Sequence, residues 1–167
     1  MRPTLYKTHG GVPLRRRTAF LTALKHAVVH SGLKNEPGIL QIIVMDAKRM
    51  AELNERHLQH QGSTDVLTFD LRNQDDIPQD DDSQDDIVTA EIYICPEVAI
   101  QYAHEHQLDS SRELLLYAVH GMLHLVGYDD IEDNDRAQMR QAEARVMKKL
   151  EEDNVSTTGF LDEVQLL

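Results

Sequence analysis

The sequence predicts one domain in which helices and strands alternate. A chain of 167 residues has the length of a single domain with one core, and it shows no internal repeat. Apolar residues recur at helical spacing in some segments and alternate in others, and the two kinds of segment follow one another along the chain. The predicted domain covers residues 1–153, and residues 154–167 are predicted to form a flexible tail.

Five helices are predicted from apolar periodicity and from residues that favour helix ends. Asp46 suits the N-cap of the second, and Pro96 suits the first turn of the third, where a backbone N–H has no helical partner. The fourth begins at Asp109 or Ser110 and ends before Gly127. The other predicted ranges are 15–31, 46–58, 96–106 and 134–150.

Three β-rich runs, residues 39–45, 66–71 and 88–95, predict strands, and residues 3–7 predict a fourth strand at a sheet edge. The second and third runs are joined by a polar loop, which predicts that they pair as antiparallel neighbours. That loop, residues 73–86, is rich in aspartate. Its spacing does not match an EF-hand, so we expect solvated acidic residues there and no calcium site.

Charge is distributed unevenly along the chain. The net charge of −12 argues against a nucleic-acid partner, but residues 1–50 hold nine lysines and arginines against two acids, Glu36 and Asp46. A basic N-terminal face that includes Arg15, Arg16 and Arg17 could therefore contact phosphates of RNA. On charge alone, a purely structural role at the start of a helix explains these arginines equally well.

Cysteine content and hydropathy indicate the cellular compartment in which the protein is expected. Cys95 is the one cysteine, which excludes an internal disulfide and a cysteine-rich zinc site and fits a reducing cytoplasm. No apolar run reaches the roughly 20 residues that span a bilayer. The basic N-terminus lacks the apolar segment of a signal peptide. We therefore expect a cytoplasmic protein with no membrane partner.

Residues 120–130, HGMLHLVGYDD, contain three candidate metal ligands. His120 and His124 are four residues apart, so a helix presents both imidazoles on one face. Gly127 suits a helix end that needs positive φ, and the reversal there would bring Asp130 back toward the histidines. Two imidazoles and one carboxylate leave the fourth zinc position for water, as in catalytic sites.

The alternative is that the two histidines are ordinary surface or core residues, which is the commoner case for a bare pair at this spacing. The surrounding helix argues against it because it is the most apolar in the chain and is expected to be at least partly buried. Buried histidines need polar partners, and a metal ion with Asp130 supplies them. We therefore expect His120, His124 and Asp130 to bind one Zn²⁺ per chain.

The spacing must be compared with the zinc-protease pattern H-E-x-x-H-x-x-G-x-x-H. Both histidines, the glycine and the third ligand position agree with it, but Gly121 occupies the position of the glutamate. That glutamate is the general base of peptide hydrolysis, so its absence disfavours a protease, while the metal ligands are still present.

The same residues resemble the YbeY family of bacterial endoribonucleases implicated in ribosomal RNA maturation. Residues 120–130 match its H-G-x-L-H-L-x-G-Y-D-H signature at eight fixed positions, and only the last ligand differs. Leu53-Asn54 and the run TDVLTF at 64–69 resemble the family's L-N and T-[ND]-V-L-S-F elements. Ala90-Glu91-Ile92 stands where the family has G-D-I, and Met139 with Glu143 resembles its last helix. The resemblance covers about residues 38–150.

The resemblance implies an α+β fold with a small mixed sheet of about four strands, about five surrounding helices and a metal site in a cleft. It implies a zinc-dependent single-strand endoribonuclease that acts in ribosomal RNA processing and ribosome maturation. The expected partners are ribosomal RNA or other single-stranded RNA and components of the small ribosomal subunit. Neither DNA nor a membrane is expected.

The sequence departs from the family pattern at two positions. Asp130 replaces a histidine, which keeps a ligand but neutralises one unit of the metal's charge, so a bound water should be less acidic than on three imidazoles. Leu58 replaces an arginine thought to help bind or polarise RNA phosphate. Arg56 lies two positions earlier, roughly 200° around a helix, and is a poor substitute.

Other polar residues were considered for proton transfer or for holding the ligands. His57 and His60 would matter only if their loop reaches the cleft, and exposed positions are the favoured interpretation. His104 and His106 are expected at the surface. Glu91 and Thr64 are candidates to accept the outer N–H of a ligating imidazole.

Two other functional classes stay open. One is a metal-dependent hydrolase of another substrate, such as peptide. The other is a non-catalytic ribosome-assembly factor with a structural metal and a basic RNA-binding face. The presence of Leu58 in place of the family arginine favours this second class.

Overall fold

Four strands form one mixed sheet in the computed structural model, which describes residues 1–58 (without the Leu58 side chain), 64–73 and 85–162. The strands are β1 (Arg2–Lys7), β2 (Ile39–Val44), β3 (Val66–Asp70) and β4 (Val88–Ile94). Their order across the sheet is β1-β2-β4-β3; β1 and β4 pair with β2 in parallel, and β3 pairs with β4 antiparallel. The predicted α+β fold, the edge strand and the antiparallel pair are confirmed.

Five helices accompany this sheet within the described residues: α1 (Arg17–His30), α2 (Ala47–Leu58), α3 (Pro96–His106), α4 (Ser110–Leu125) and α5 (Asp133–Glu152). The Asp46 side chain accepts the Arg49 N–H at 3.0 Å, and Asp109 accepts the Arg112 N–H at 2.8 Å, as expected of N-caps. α1 begins two residues later than predicted because Arg16 has a left-handed backbone, with φ of 47°. Such a residue cannot continue a right-handed helix.

α4 is the central helix of the core. Twelve of its sixteen residues are buried, and it packs against β3, β4 and the helices α1, α3 and α5. Gly121 allows this close approach, since a Cβ there would lie 2.8 Å from the Thr68 hydroxyl and 2.8–2.9 Å from two Ile92 carbons. The helix that carries the two histidines is therefore held rigidly against the sheet.

The C-terminal segment corrects one expectation. Its described part is packed and not a loose tail: Phe160 is fully buried, with its ring 4.8 Å from that of Phe20. The backbone N–H groups of Phe160 and Leu161 both donate to the Ser111 hydroxyl at 2.9 Å. The large apolar side chain of Phe160 completes the core beside α1, which stabilises the segment through burial. Residues 163–167 of the predicted tail lie outside the described residues.

Two more expectations fall partly beyond what the structure describes. Most of the aspartate-rich loop, residues 74–84, and His60 lie outside the described residues.

In the part of the chain that is described, no helix is both long and apolar enough to cross a membrane.

Candidate metal centre

The three predicted ligands come together at the C-terminal end of α4. His120 and His124 lie one turn apart, and their Nε2 atoms are 2.9 Å from each other. The Asp130 Oδ2 atom lies 3.3 Å from the His120 Nε2 and 3.7 Å from the His124 Nε2. Ligands on a tetrahedral zinc are about 3.3 Å apart, given metal–ligand bonds of about 2.0 Å. The observed spacing brackets that value.

The turn after α4 explains why Asp130 reaches the histidines. The N–H of Gly127 donates to the His124 carbonyl at 3.0 Å, and the N–H of Tyr128 donates to the Leu123 carbonyl at 3.1 Å. This pair of bonds is a Schellman motif, and it requires the left-handed conformation that Gly127 adopts, with φ of 98°. The chain therefore reverses at the residue that the sequence indicates.

Each imidazole is held from its far side by an acceptor. His120 Nδ1 lies 2.6 Å from Glu143 Oε1, and His124 Nδ1 lies 2.9 Å from the Tyr128 carbonyl oxygen. Because carbonyl and carboxylate oxygens only accept, both Nδ1 atoms carry the hydrogen, and the neutral rings present Nε2 lone pairs to each other. Asp130 adds a third acceptor. In the neutral rings these are three converging acceptors, which fit a metal ion such as zinc, and a proton between the two Nε2 atoms competes for the same place.

Electrostatics around His120 favour positive charge. Burial alone would lower the pKa of His120, but the hydrogen bond and charge of Glu143 outweigh it, with smaller contributions from Asp130 and Asp65. The pKa therefore lies above the ordinary imidazole value. A proton stabilised in this way is the competitor that a metal ion must displace.

Two adjoining concave surfaces meet at His120 and Asp130. One lies between α4 and α5 and includes Glu113, Tyr117 and Arg140, and the other runs along β3 from Thr64 to Asp70. Burial raises the pKa of Glu113, and the charges of Asp65 and Glu143 raise it further. The two surfaces thus carry several carboxylates around His120, and their negative charge attracts a cation.

Comparison with known proteins identifies the family. The family model described as Endoribonuclease YbeY matches residues 10–151. The chain belongs to the YbeY family. An Endoribonuclease YbeY from Protochlamydia amoebophila is 37% identical over 115 residues, which cover 67% of this chain and 72% of that protein. One from Salinispora tropica is 35% identical over 141 residues, covering 77% and 84% respectively.

A solved structure shows the same fold. The solution structure of TM1509 from Thermotoga maritima matches with a TM-score of 0.55 at 21% identity, over 90% of this chain and 93% of that one. At that identity the similarity supports the YbeY-like architecture alone.

Gly121 of this YbeY chain explains further why the protease base is missing. The position faces the sheet, where even a Cβ would press on Thr68 and Ile92. A glutamate side chain at this position would therefore clash with the sheet.

The predicted RNA-contacting arginines lie away from this centre. All three are exposed, and none lines either concave surface. Arg15 pairs with Asp162 at 2.5 Å, and Arg17 donates to the Leu5 carbonyl at 3.1 Å. Arg16 donates to the Ser156 hydroxyl at 3.4 Å. They bind the N-terminal part of the chain to neighbouring segments and leave part of each guanidinium accessible.

The other candidate side chains have different neighbours. Glu91 accepts from the Tyr93 hydroxyl at 2.8 Å, and the Thr64 hydroxyl donates to the Val66 carbonyl at 3.3 Å, so neither holds an imidazole. His57 is exposed and rests edge-on against the Phe69 ring. The expectation that His104 and His106 are surface residues is confirmed.

Glu143 is the residue of the candidate site whose role the sequence pattern did not indicate. It is buried on the apolar side of α5, with Met139 one turn before it and Met147 one turn after. An acid in the middle of an apolar helix face must have a buried partner, and that is the signal that could have marked it.

Proposed function

We propose that this protein is a metal-dependent endoribonuclease that cleaves single-stranded RNA, with one Zn²⁺ held by His120, His124 and Asp130. The observation that carries the proposal is the convergence of three acceptor atoms whose histidines are both fixed in the Nδ1–H tautomer. The relatives named Endoribonuclease YbeY support the substrate class. We further propose that the RNA is ribosomal and that the protein acts in ribosome maturation in the cytoplasm.

Bound zinc would supply Lewis-acid polarisation of the scissile phosphodiester and stabilise the negative charge that develops there. The chain's own residues orient the ligands. Glu143 fixes the His120 ring, and the Tyr128 carbonyl fixes the His124 ring. Arg136 donates to the carbonyls of Asp130 and Ile131 and so braces the segment that presents the third ligand.

Phosphate binding needs cations outside the ligand set, because the family arginine is Leu58 here. Arg140 is the best placed residue: it lines the cleft beside His120, and its side chain is 76% exposed. It lies 4.0 Å from Glu143, a distance too long for a hydrogen bond, so its donors are available to an RNA phosphate. Arg15, Arg16 and Arg17 are proposed as outlying contacts to the same strand.

The test combines metal analysis with an RNA cleavage assay. Protein purified without chelators should contain zinc, and the wild type should cleave a fluorogenic single-stranded RNA. His124→Ala and Asp130→Asn should lose cleavage, whereas the matched control His104→Ala, an exposed α3 histidine, should not. Cleavage that survives metal removal would refute the mechanism.

The same experiment separates the alternatives. Cleavage of casein but not RNA, lost in His124→Ala, would identify a hydrolase of another substrate. Metal-dependent RNA binding without cleavage at any protein concentration would identify an assembly factor with a structural metal.

A further inference from the structure

A second cluster of two histidines and one aspartate lies outside the candidate metal centre. His26 and His30 are four residues apart on α1, at its C-terminal end, and Asp153 is the C-cap of α5. The Asp153 Oδ2 atom lies 2.8 Å from His26 Nδ1 and 2.7 Å from His30 Nε2. All three potential ligand atoms lie within 4.8 Å of one another.

The cluster repeats the chemistry of the first centre. Both consist of an His-x-x-x-His pair on one helix and a carboxylate from a later segment. At the second cluster both rings point a nitrogen at the same carboxylate oxygen. When no ion is bound, two N–H groups can donate to that oxygen. A divalent ion would replace the two bridging protons, and a movement of about half an ångström by the carboxylate would bring its oxygen to the spacing of about 3.3 Å from each imidazole nitrogen.

The local field also favours a cation. α1 ends at His30 and α5 ends at Glu152, so the C-terminal ends of two helices meet beside the cluster. Each end carries a partial negative charge from unpaired carbonyl groups. Two imidazoles and one carboxylate prefer borderline ions such as zinc or nickel over magnesium or calcium, which prefer oxygen ligands.

One difference predicts weaker binding than at the first centre. Among the described residues, Asp153 is the hydrogen-bond partner of both rings, and no second acceptor fixes their orientation as Glu143 does for His120. Loss of such outer partners typically lowers metal affinity 10–100-fold.

We propose that His26, His30 and Asp153 form a second transition-metal site, weaker than the first, that joins the C-terminal ends of α1 and α5. An ion bound there would link two helices that the Asp153 carboxylate joins by hydrogen bonds. Because the ion would bind the folded chain and not the unfolded one, it should raise the thermal midpoint, and the increase should grow with the logarithm of the ion concentration above the Kd.

The experiment measures zinc and nickel stoichiometry by equilibrium dialysis and the thermal midpoint at increasing ion concentration. The wild type should bind two ions of different affinity, and His26→Ala should bind one while keeping RNA cleavage. His124→Ala should retain the weaker ion and its thermal shift, and His124→Ala combined with His26→Ala should lose both. His104→Ala is the matched control for removal of an exposed helical histidine.

Circular dichroism of each variant establishes that the chain is folded. Asp153→Asn provides an independent variant, since it keeps an acceptor for the imidazoles but removes the charge; it should weaken the second ion at least tenfold. A single bound ion in the folded wild type would overturn the proposal and would mean that His26, His30 and Asp153 form an ion pair only. A weaker ion that is unaffected by His26→Ala and Asp153→Asn would do the same.

Discussion

Glu143→Gln should weaken zinc binding at His120 about tenfold, or about 1.4 kcal/mol. Glutamine can still accept a hydrogen bond from the His120 Nδ1–H, which Glu143 accepts at 2.6 Å, but the bond is no longer assisted by charge. Glu143→Ala removes the acceptor entirely and should cost about 100-fold. Competition with a chromophoric zinc chelator measures both losses.

The pH dependence of this loss is the sharper test. Glu143 raises the pKa of His120, so in the wild type a proton competes with zinc at a higher pH than at an ordinary imidazole. Glu143→Gln lowers that pKa toward its ordinary value. The tenfold ratio should therefore be largest at alkaline pH, where His120 is deprotonated in both proteins, and should shrink as the pH falls.

Glu113→Gln is the matched control, because it neutralises another buried acid of the same cleft that makes no hydrogen bond to His120. Its zinc affinity should change less than that of Glu143→Gln at alkaline pH, where the effect of Glu143→Gln is largest. Equal zinc affinity in Glu143→Gln and wild type at pH 8, or a ratio that grows on acidification, would refute the role assigned to Glu143.

Four further predictions concern stability, reactivity and RNA binding. Burial raises the pKa of Glu113. The stability that this group contributes is therefore present at acidic pH and is lost as the pH rises through the raised pKa. Urea unfolding should show that Glu113→Gln is more stable than the wild type at pH 8 and equally stable at pH 4. Burial raises the pKa of Cys95 to about 12, so its thiol should not react with Ellman's reagent at pH 8 until the protein unfolds. Gly121→Ala places a methyl group 2.8 Å from an Ile92 carbon and should cost about 1–3 kcal/mol in urea unfolding, and an unchanged midpoint would contradict the close packing. Each of Arg15→Gln and Arg17→Gln should reduce the slope of log affinity for single-stranded RNA against log salt by about 0.7, and unchanged slopes would remove these residues from the interface.

The fold and the three candidate ligands could be predicted because their signals are local. Helical spacing, a glycine that takes positive φ and an acid three residues later lie within residues 120–130, and together they specify which side chains can meet. The strands and helices follow from periodicity and caps in the same way. The tail could not be predicted in this manner, because Phe160 gains its stability from Phe20, far away in sequence.

The residues that orient the ligands depend on contacts between distant segments. Glu143 meets His120 across 23 positions, and Asp153 meets His26 across 127. Such contacts arise from how α5 packs on α4 and α1, which spacing along the chain does not encode. An acid on the apolar face of α5 indicates that a buried partner exists but not which residue it is.

The two His-x-x-x-His pairs show what spacing alone leaves undetermined. His26 and His30 have the same separation as His120 and His124, and both pairs meet an aspartate. They differ in their surroundings, since the rings at the end of α4 are fixed by Glu143 and by a carbonyl, whereas Asp153 is the hydrogen-bond partner of both rings on α1. Fixed rings lose less freedom when they bind an ion. At limiting zinc the pair on α4 should therefore fill first, so RNA cleavage should reach its maximum at about one bound ion per chain, before the second ion binds.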